Sequence, residues 1–305
     1  MKRVLFVDEK QYRFSFYYEQ ESWWHRKGIK PYFRAYERPK DKWLIYLWVL
    51  FKQPYAIIFV QLSLKNFILT RLCNIFYIKA IFWQHGVFRY EEAIIKKYRQ
   101  INASLNYLLS FSQYDNENIA KYFKKVRKSK FIKHYETIKI RDSKTIDNSV
   151  LYIGQIITAE QIKDSGSKIK CDDYSEKILN ETWNYLGNSS FQVFLRKHPG
   201  DKSSYLEKIT KEHKNFRMID EHIIPSIIIG HYSTLIIPYL QMGIPFVQIE
   251  HKFNTYVDFT NYSKQPILTL NSLSNIKLEN FKINETNFID TNSSESISAT
   301  LASCL

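Results

Sequence analysis

The sequence predicts an α/β protein made of two Rossmann-like domains, each a parallel sheet with crossover helices. Short apolar runs alternate with stretches of helical periodicity along most of the chain. A polar segment, residues 141–149, splits that alternation into two similar halves. With 305 residues, 45% of them hydrophobic, the chain can bury two cores, which excludes global disorder.

In the first half, strands are expected near 3–8, 31–36, 55–61, 79–85, 105–112 and 131–139. Helical periodicity fills 41–52, 63–77, 89–101 and 115–127 between them. Within 64–76, Leu64, Phe67, Ile68, Leu72, Ile75 and Phe76 fall at helical spacing and read as a core face rather than a lipid anchor. The second half repeats the pattern, with strands near 150–155, 191–197, 215–219, 226–230 and 245–249. Helices near 173–186, 201–213 and 233–242 separate these strands. The resulting division is a domain over 1–140, a linker over 141–149, a domain over 150–290 and a flexible tail over 291–305. The tail reading rests on its Ser and Thr content. A ligand cleft is expected between the two domains.

Charge is unevenly placed along the chain. The net charge is +14, yet residues 1–140 hold 27 basic against 11 acidic side chains, and residues 141–305 hold 17 against 19. An N-terminal half of this kind faces something anionic: a membrane surface, an acidic glycan or nucleic acid. Nucleic acid is set aside because no recognised motif accompanies the charge. The densest patch comprises Lys121, Lys124, Lys125, Arg127, Lys128, Lys130 and Lys133, with no acid among them. It reads either as an acceptor or membrane patch or as a solvated helix face followed by a loop.

Other classes are excluded by what the sequence lacks. The three cysteines, Cys73, Cys171 and Cys304, are too far apart for a disulfide framework or a cysteine zinc site. Asp8 interrupts the first apolar run before a signal peptide could form. Lys52, Gln53 and Pro54 break the longest apolar stretch too early for a membrane span. The expected location is cytoplasmic, with peripheral contact at the inner face of the plasma membrane. No Gly-x-Gly-x-x-Gly or P-loop is present, which sets aside NAD enzymes and P-loop NTPases. No Asp-x-Asp motif provides a metal clamp for a sugar nucleotide, so no metal or organic cofactor is expected.

Four segments carry candidate chemistry. The first, Phe191-Gln-Val-Phe-Leu-Arg-Lys-His-Pro-Gly-Asp201, is a strand ending in Arg196, Lys197, His198 and Pro199. Pro199 cannot continue a ladder, and Asp201 or Ser203 can cap the next helix. A His with two adjacent cations at the carboxyl end of a parallel strand suits a phosphate. Second, Ile227-Ile-Ile-Gly-His-Tyr-Ser-Thr234 places Ser233 and Thr234 near a helix start, where hydroxyls and free N–H groups receive an anion. Third, Ala80-Ile-Phe-Trp-Gln-His-Gly-Val87 places His85 at a strand end, suited to proton transfer. Fourth, Leu151-Tyr-Ile-Gly-Gln155 opens the second domain with a strand and a Gly154–Gln155 turn. Each also has an ordinary structural reading as a strand-end turn or a helix cap. Glu250, ending the next strand, reads as a ribose contact or a surface turn.

The Tyr-Ile-Gly-Gln opening, the His198-Pro199 strand end and the Ser233-Thr234 pair, taken together over about residues 150–250, resemble the C-terminal domain of bacterial GT-B sialyltransferases and polysialyltransferases. The resemblance implies a GT-B fold and a CMP-activated donor whose phosphate meets His198, Ser233 and Thr234. That family's acidic Asp/Glu-Asp/Glu-Gly motif, the source of its base, is absent. The segment Trp83-Gln84-His85-Gly86 instead resembles the Trp-His-Gly motif of teichoic-acid glycerophosphotransferases, which implies His85 as the base and CDP-glycerol as an alternative donor. Kdo transferases of capsule assembly are a third similar group. The expected activity is a metal-independent, inverting glycosyltransferase that moves sialic acid or a related acidic sugar from CMP to a cell-surface glycan. Its partners are then the nucleotide sugar, a glycan or lipid-linked glycan acceptor, and the membrane surface. The competing class is a non-catalytic protein that binds polyanions or membranes.

Overall fold

The computed structural model describes residues 1–8, 21–38, 40–86, 90–132, 134, 136–155, 173–198, 201–249, 259–263, 267–270, 300 and 303–305. The chain divides into two compact units, Met1–Lys133 with Ser293–Leu305, and His134–Asn292. Each is an α/β unit built on six parallel strands.

The first unit contains β1 (Lys2–Asp8), α1 (Glu21–Arg26), β2 (Ile29–Ala35), α2 (Asp41–Lys52), β3 (Ala56–Phe59), α3 (Leu64–Ile75) and β4 (Lys79–Trp83). It continues with α4 (Glu92–Arg99), β5 (Ser104–Ser110), α5 (Gln113–Ala120) and β6 (Lys125–Phe131). The strand order is β2-β1-β3-β4-β5-β6. Val4 to Asp8 are all buried, as a central strand covered on both faces requires. Side-chain alternation assigns the helices to faces. Leu5, Val7, Ile57 and Phe59 share one core with Ile45 and Val49 of α2 and Phe67 and Leu69 of α3. Phe6, on the opposite face, packs edge-on against Trp24 of α1 at 5.6 Å. Right-handed crossovers give this arrangement when the chain turns one way after β1 and the other way after β2. Gln53 ends α2 in the left-handed region (φ 38°), and Pro54 follows, a helix stop set by backbone sterics.

The second unit contains α6 (Glu136–Arg141), β7 (Lys144–Ile153), α7 (Asp173–Gly187), β8 (Gln192–Arg196), α8 (Tyr205–Glu212) and β9 (Phe216–Met218). After these come β10 (Ile223–Gly230), α9 (Ile236–Gln241), β11 (Phe246–Ile249), a 3₁₀ turn (Phe259–Tyr262) and β12 (Leu268–Leu270). Its strand order is β12-β11-β10-β7-β8-β9, so the chain reverses direction across the sheet between β7 and β10. Trp183 anchors one face, donating to the Tyr205 hydroxyl at 2.8 Å and meeting the Tyr152 ring at 4.8 Å. Pro225 breaks the β7–β10 register; beside it, Ser149 and Ser226 each accept at 3.3 Å from the other's backbone N–H.

Several sequence expectations change here. Residues 141–149 are not a linker: α6 ends at Arg141, and β7 has already begun at Lys144. The stretch is polar because the first five residues of β7 overhang the core, and only the last five are buried. The end of the chain is not a free tail over all its described residues. Thr300, Cys304 and Leu305 are buried, and the Lys2 and Lys79 amines donate to the Leu305 carbonyl at 2.9 and 3.1 Å. The expected strand near 131–139 lies earlier, as β6, and α6 occupies part of the predicted range. Finally, the stripe on α3 is mostly not core: Phe67 is buried, but Leu64, Ile68, Ile75 and Phe76 are exposed.

Candidate functional site

The reversal between β7 and β10 leaves a crevice outside their carboxyl ends, where doubly wound sheets bind ligands. β7 is flanked by β10 on one side and β8 on the other, so three adjacent strand ends meet there. Gly154–Gln155 follows β7, the 231–234 segment follows β10 and His198 follows β8. The structure therefore brings together, on one sheet edge, the three second-domain motifs read from the sequence.

Two glycines permit this close approach. The Gly154 N–H donates to the Arg196 carbonyl at 2.8 Å. A Cβ at Gly154 would lie 3.0 Å from that same oxygen and 3.4 Å from the His198 nitrogen. A Cβ at Gly230 would lie 3.2 Å from the Ile153 carbonyl. Gly154→Ala should therefore force β7 and β8 apart and destabilise the protein by about 1–3 kcal/mol, readable as a lowered urea midpoint.

His198 is half-buried. Burial pushes its pKa below the ordinary 6.5, while the charge of Asp201 pulls it back up. Asp201 is hydrogen-bonded on both sides. Asp201 N–H donates to the His198 carbonyl at 2.9 Å, and Asp201 Oδ1 accepts from Ser203 N–H at 2.9 Å. Asp201 and Ser203 thus shape a turn ahead of α8 rather than cap it directly, since the helix begins at Tyr205. The neutral imidazole is a hydrogen-bond donor and acceptor at a strand end.

The two cations before it are engaged in the surrounding loops. Lys197 Nζ donates to the Ser203 carbonyl and to Glu207 Oε1, the latter at 2.8 Å. Burial pushes Glu207 up, but the Lys197 hydrogen bond and charge bring it below its usual value. Arg196 Nη1 lies 3.0 Å from His222 Nδ1 and 3.4 Å from the Glu221 carbonyl. Lys197 therefore ties the β8–α8 loop to the first turn of α8, and Arg196 reaches the loop before β10.

Ser233 and Thr234 lie two to three residues ahead of α9, not at its cap. Ser233 Oγ accepts from Leu235 N–H at 3.3 Å, and the Ser233 and Thr234 carbonyls accept from Ile236 and Ile237. A tight turn thus leads into a six-residue helix, which supplies less dipole than the sequence pattern implied. Pro199 and Glu250 lie outside the described residues.

His231 and Tyr152 were not singled out from the sequence. His231 directly follows β10, is fully buried, and has its ring 6.2 Å from that of Tyr152. The signal for it was present: a His follows each of the strand ends at 83, 196 and 230 within two residues. The Tyr152 hydroxyl is buried beneath this edge with no hydrogen-bond partner among the described residues.

In the first unit, His85 follows β4 and is partly exposed. Gln84 fixes its backbone: Oε1 accepts from Phe111 N–H at 2.8 Å, Nε2 donates to the Gly86 carbonyl at 3.0 Å, and Gln84 N–H donates to the Leu109 carbonyl at 2.8 Å. The basic patch takes a form different from a helix face. Lys125, Arg127 and Lys128 lie exposed on β6, the outer strand of the sheet. Lysines on an edge strand discourage pairing with another chain, which is a structural reason for the charge. Lys121 and Lys124 stand in the turn before it, Lys121 Nζ donating to Asn118 Oδ1 at 2.9 Å.

No family model matches the chain, and no curated protein matches it in sequence. Solved structures do share its fold. An S. aureus MnaA–UDP co-structure superposes with a TM-score of 0.50 at 8% identity, covering 82% of this chain and 80% of that one. The Methanocaldococcus jannaschii UDP-GlcNAc 2-epimerase, in complex with UDP-GlcNAc and UDP, gives 0.50 at 8% identity, covering 81% and 83%. The chain has the GT-B fold: two parallel-sheet α/β domains of this kind.

Proposed function

We propose that the chain is a transferase that binds a nucleotide-activated sugar at the carboxyl edge of its second sheet. The observation that carries this reading is the meeting of Gly154–Gln155, His198 and Ser233–Thr234 on three adjacent strand ends at the topological switch point. Backbone N–H groups, a neutral imidazole and hydroxyls there suit the phosphate of a CMP-activated acidic sugar such as sialic acid. The acceptor is a cell-surface glycan.

In the reaction, His85 takes the proton of an acceptor hydroxyl. That oxygen bonds to the anomeric carbon as the bond from carbon to phosphate oxygen breaks, and CMP leaves with the electron pair. The departing phosphate gains negative charge, which His198, the Gly154–Gln155 backbone and the hydroxyls of Ser233 and Thr234 stabilise without a metal ion. Lys197 and Arg196 contribute by holding the loops that frame His198.

A second reading, a UDP-sugar enzyme, draws on the UDP ligands named for the two superposed structures. The resemblance of Trp83-Gln84-His85-Gly86 keeps a CDP-glycerol phosphotransferase as a third. A thermal-shift panel with CMP, CDP, UDP, GDP and ADP at matched ionic strength separates them. A nucleotide at a hundredfold excess over its Kd should stabilise the protein by about 2.7 kcal/mol. Selective stabilisation by CMP is the expected result. Selective stabilisation by UDP would replace the CMP reading, and silence across the panel would favour the non-catalytic alternative.

A further inference from the structure

The helices α2 and α3 present an apolar face that the core does not use. On α2, Ile45 and Val49 point to the sheet, whereas Trp43, Leu44, Leu47 and Phe51 are 61%, 56%, 47% and 80% exposed. These four fall within about 100° of arc on the side opposite the core. On α3, Phe67, Leu69 and Cys73 are buried, whereas Leu64, Ile68 and Ile75 are 42%, 43% and 56% exposed. The two helices lie side by side, the Tyr46 hydroxyl donating to the Lys65 carbonyl at 2.9 Å. Both cover the same face of the first sheet, so their outer faces look away from it together. An apolar surface of this extent is unusual on a protein in water.

Charge indicates what covers it. Between Asp41 and Glu91 the chain has no acidic residue, and the two helices carry Lys42, Lys52, Lys65 and Arg71. Lys52 and Arg71 are exposed, and Lys42 lies over the Trp43 ring at 5.4 Å. The one acid on the two helices, Asp41, is buried and paired with Arg38. Exposed apolar and aromatic side chains accompanied by cations match the interface of an anionic bilayer. A second copy of this chain fits worse, because the same cations would face one another.

We propose that the outer faces of α2 and α3 dock the first unit on an anionic lipid surface. Trp43, Leu47, Phe51 and Ile68 enter the headgroup region, and Lys42, Lys52 and Arg71 meet lipid phosphates. This places membrane contact on α2 and α3 rather than on the lysines of β6, and it does not depend on which nucleotide the second unit binds.

The test is co-sedimentation with phosphatidylcholine vesicles, with and without phosphatidylglycerol. The full chain is compared with a Leu47→Gln/Phe51→Ser variant and with a Lys125→Glu/Lys128→Glu variant. All substituted positions are on the surface, and an unchanged thermal midpoint confirms folding. Should the double variant misfold, Phe51→Ser alone, at the most exposed of the four α2 positions, replaces it. The expected result is binding to phosphatidylglycerol vesicles that weakens about tenfold or more in the Leu47/Phe51 variant and only slightly in the Lys125/Lys128 variant. The proposal is overturned if the full chain ignores both vesicle types, or if only the Lys125/Lys128 variant loses binding. A concentration-dependent dimer abolished by the Leu47/Phe51 change, without vesicle binding, also overturns it and assigns the face to a second copy.

Discussion

His198→Ala is expected to lower turnover by about 10²–10³-fold, the usual effect of removing one preorganised donor from a developing negative charge. Folding should survive, because the imidazole is half-buried at a strand end and the loop beside it is held by Asp201, Ser203 and Lys197. The same residue predicts a pH dependence. In the free protein, burial first, opposed by the charge of Asp201, leaves the His198 pKa below 6.5. A phosphate placed against it favours the protonated form and raises that pKa. Binding therefore takes up a proton, and nucleotide affinity should tighten as pH falls from neutral toward the pKa of the free protein. His198→Gln should lack that component, so the comparison removes the ligand's own titration. The free protein shows the opposite trend. The unfolded chain binds the proton more readily, so the contribution of His198 to stability is present above pH 6.5 and is lost as pH falls below it.

His85→Ala is the second large effect. A positioned general base typically contributes about 10²–10⁴-fold, and that loss should appear in kcat with nucleotide binding unchanged. Gln84→Ala probes the same site indirectly. It would leave the Phe111 N–H and the Gly86 carbonyl without the amide that joins them. The stability loss should be about 1–3 kcal/mol, the cost of buried groups left unsatisfied. If His85 is the base, Gln84→Ala should also lower kcat, because the backbone carrying His85 is no longer fixed. Normal turnover in His85→Ala would remove it from the mechanism.

The central strands were legible because residues buried on both faces write continuous apolar runs, as in Val4–Val7, Ala56–Phe59 and Ile227–Ile229. Edge strand β6 was not. Its alternation carries lysines where an inner strand carries valine or isoleucine, and Lys-Tyr-Phe-Lys-Lys reads as a helix face. The linker reading failed for a related reason, since the overhanging half of β7 has no core to face. On α3, apolar residues at helical spacing occur on both faces. Periodicity marks a helix there but not its orientation, since the exposed Leu64, Ile68 and Ile75 share the spacing of a core stripe. At the candidate site, the location of His198 was legible from the apolar run that leads into it, which forms β8 up to Arg196. The partners of Arg196 and Lys197 were not, because His222 and Glu207 lie 26 and 10 residues away and only the fold brings them in.

The central claim is that the second sheet's carboxyl edge holds a nucleotide phosphate. The most direct measurement is a crystal structure of the chain with whichever nucleotide stabilises it. The account predicts the phosphate within hydrogen-bond distance of His198 and of the backbone at Gly154–Gln155, with the Ser233–Thr234 turn beside it. A phosphate bound elsewhere, such as at the ends of β1 and β3 in the first unit, would contradict the account.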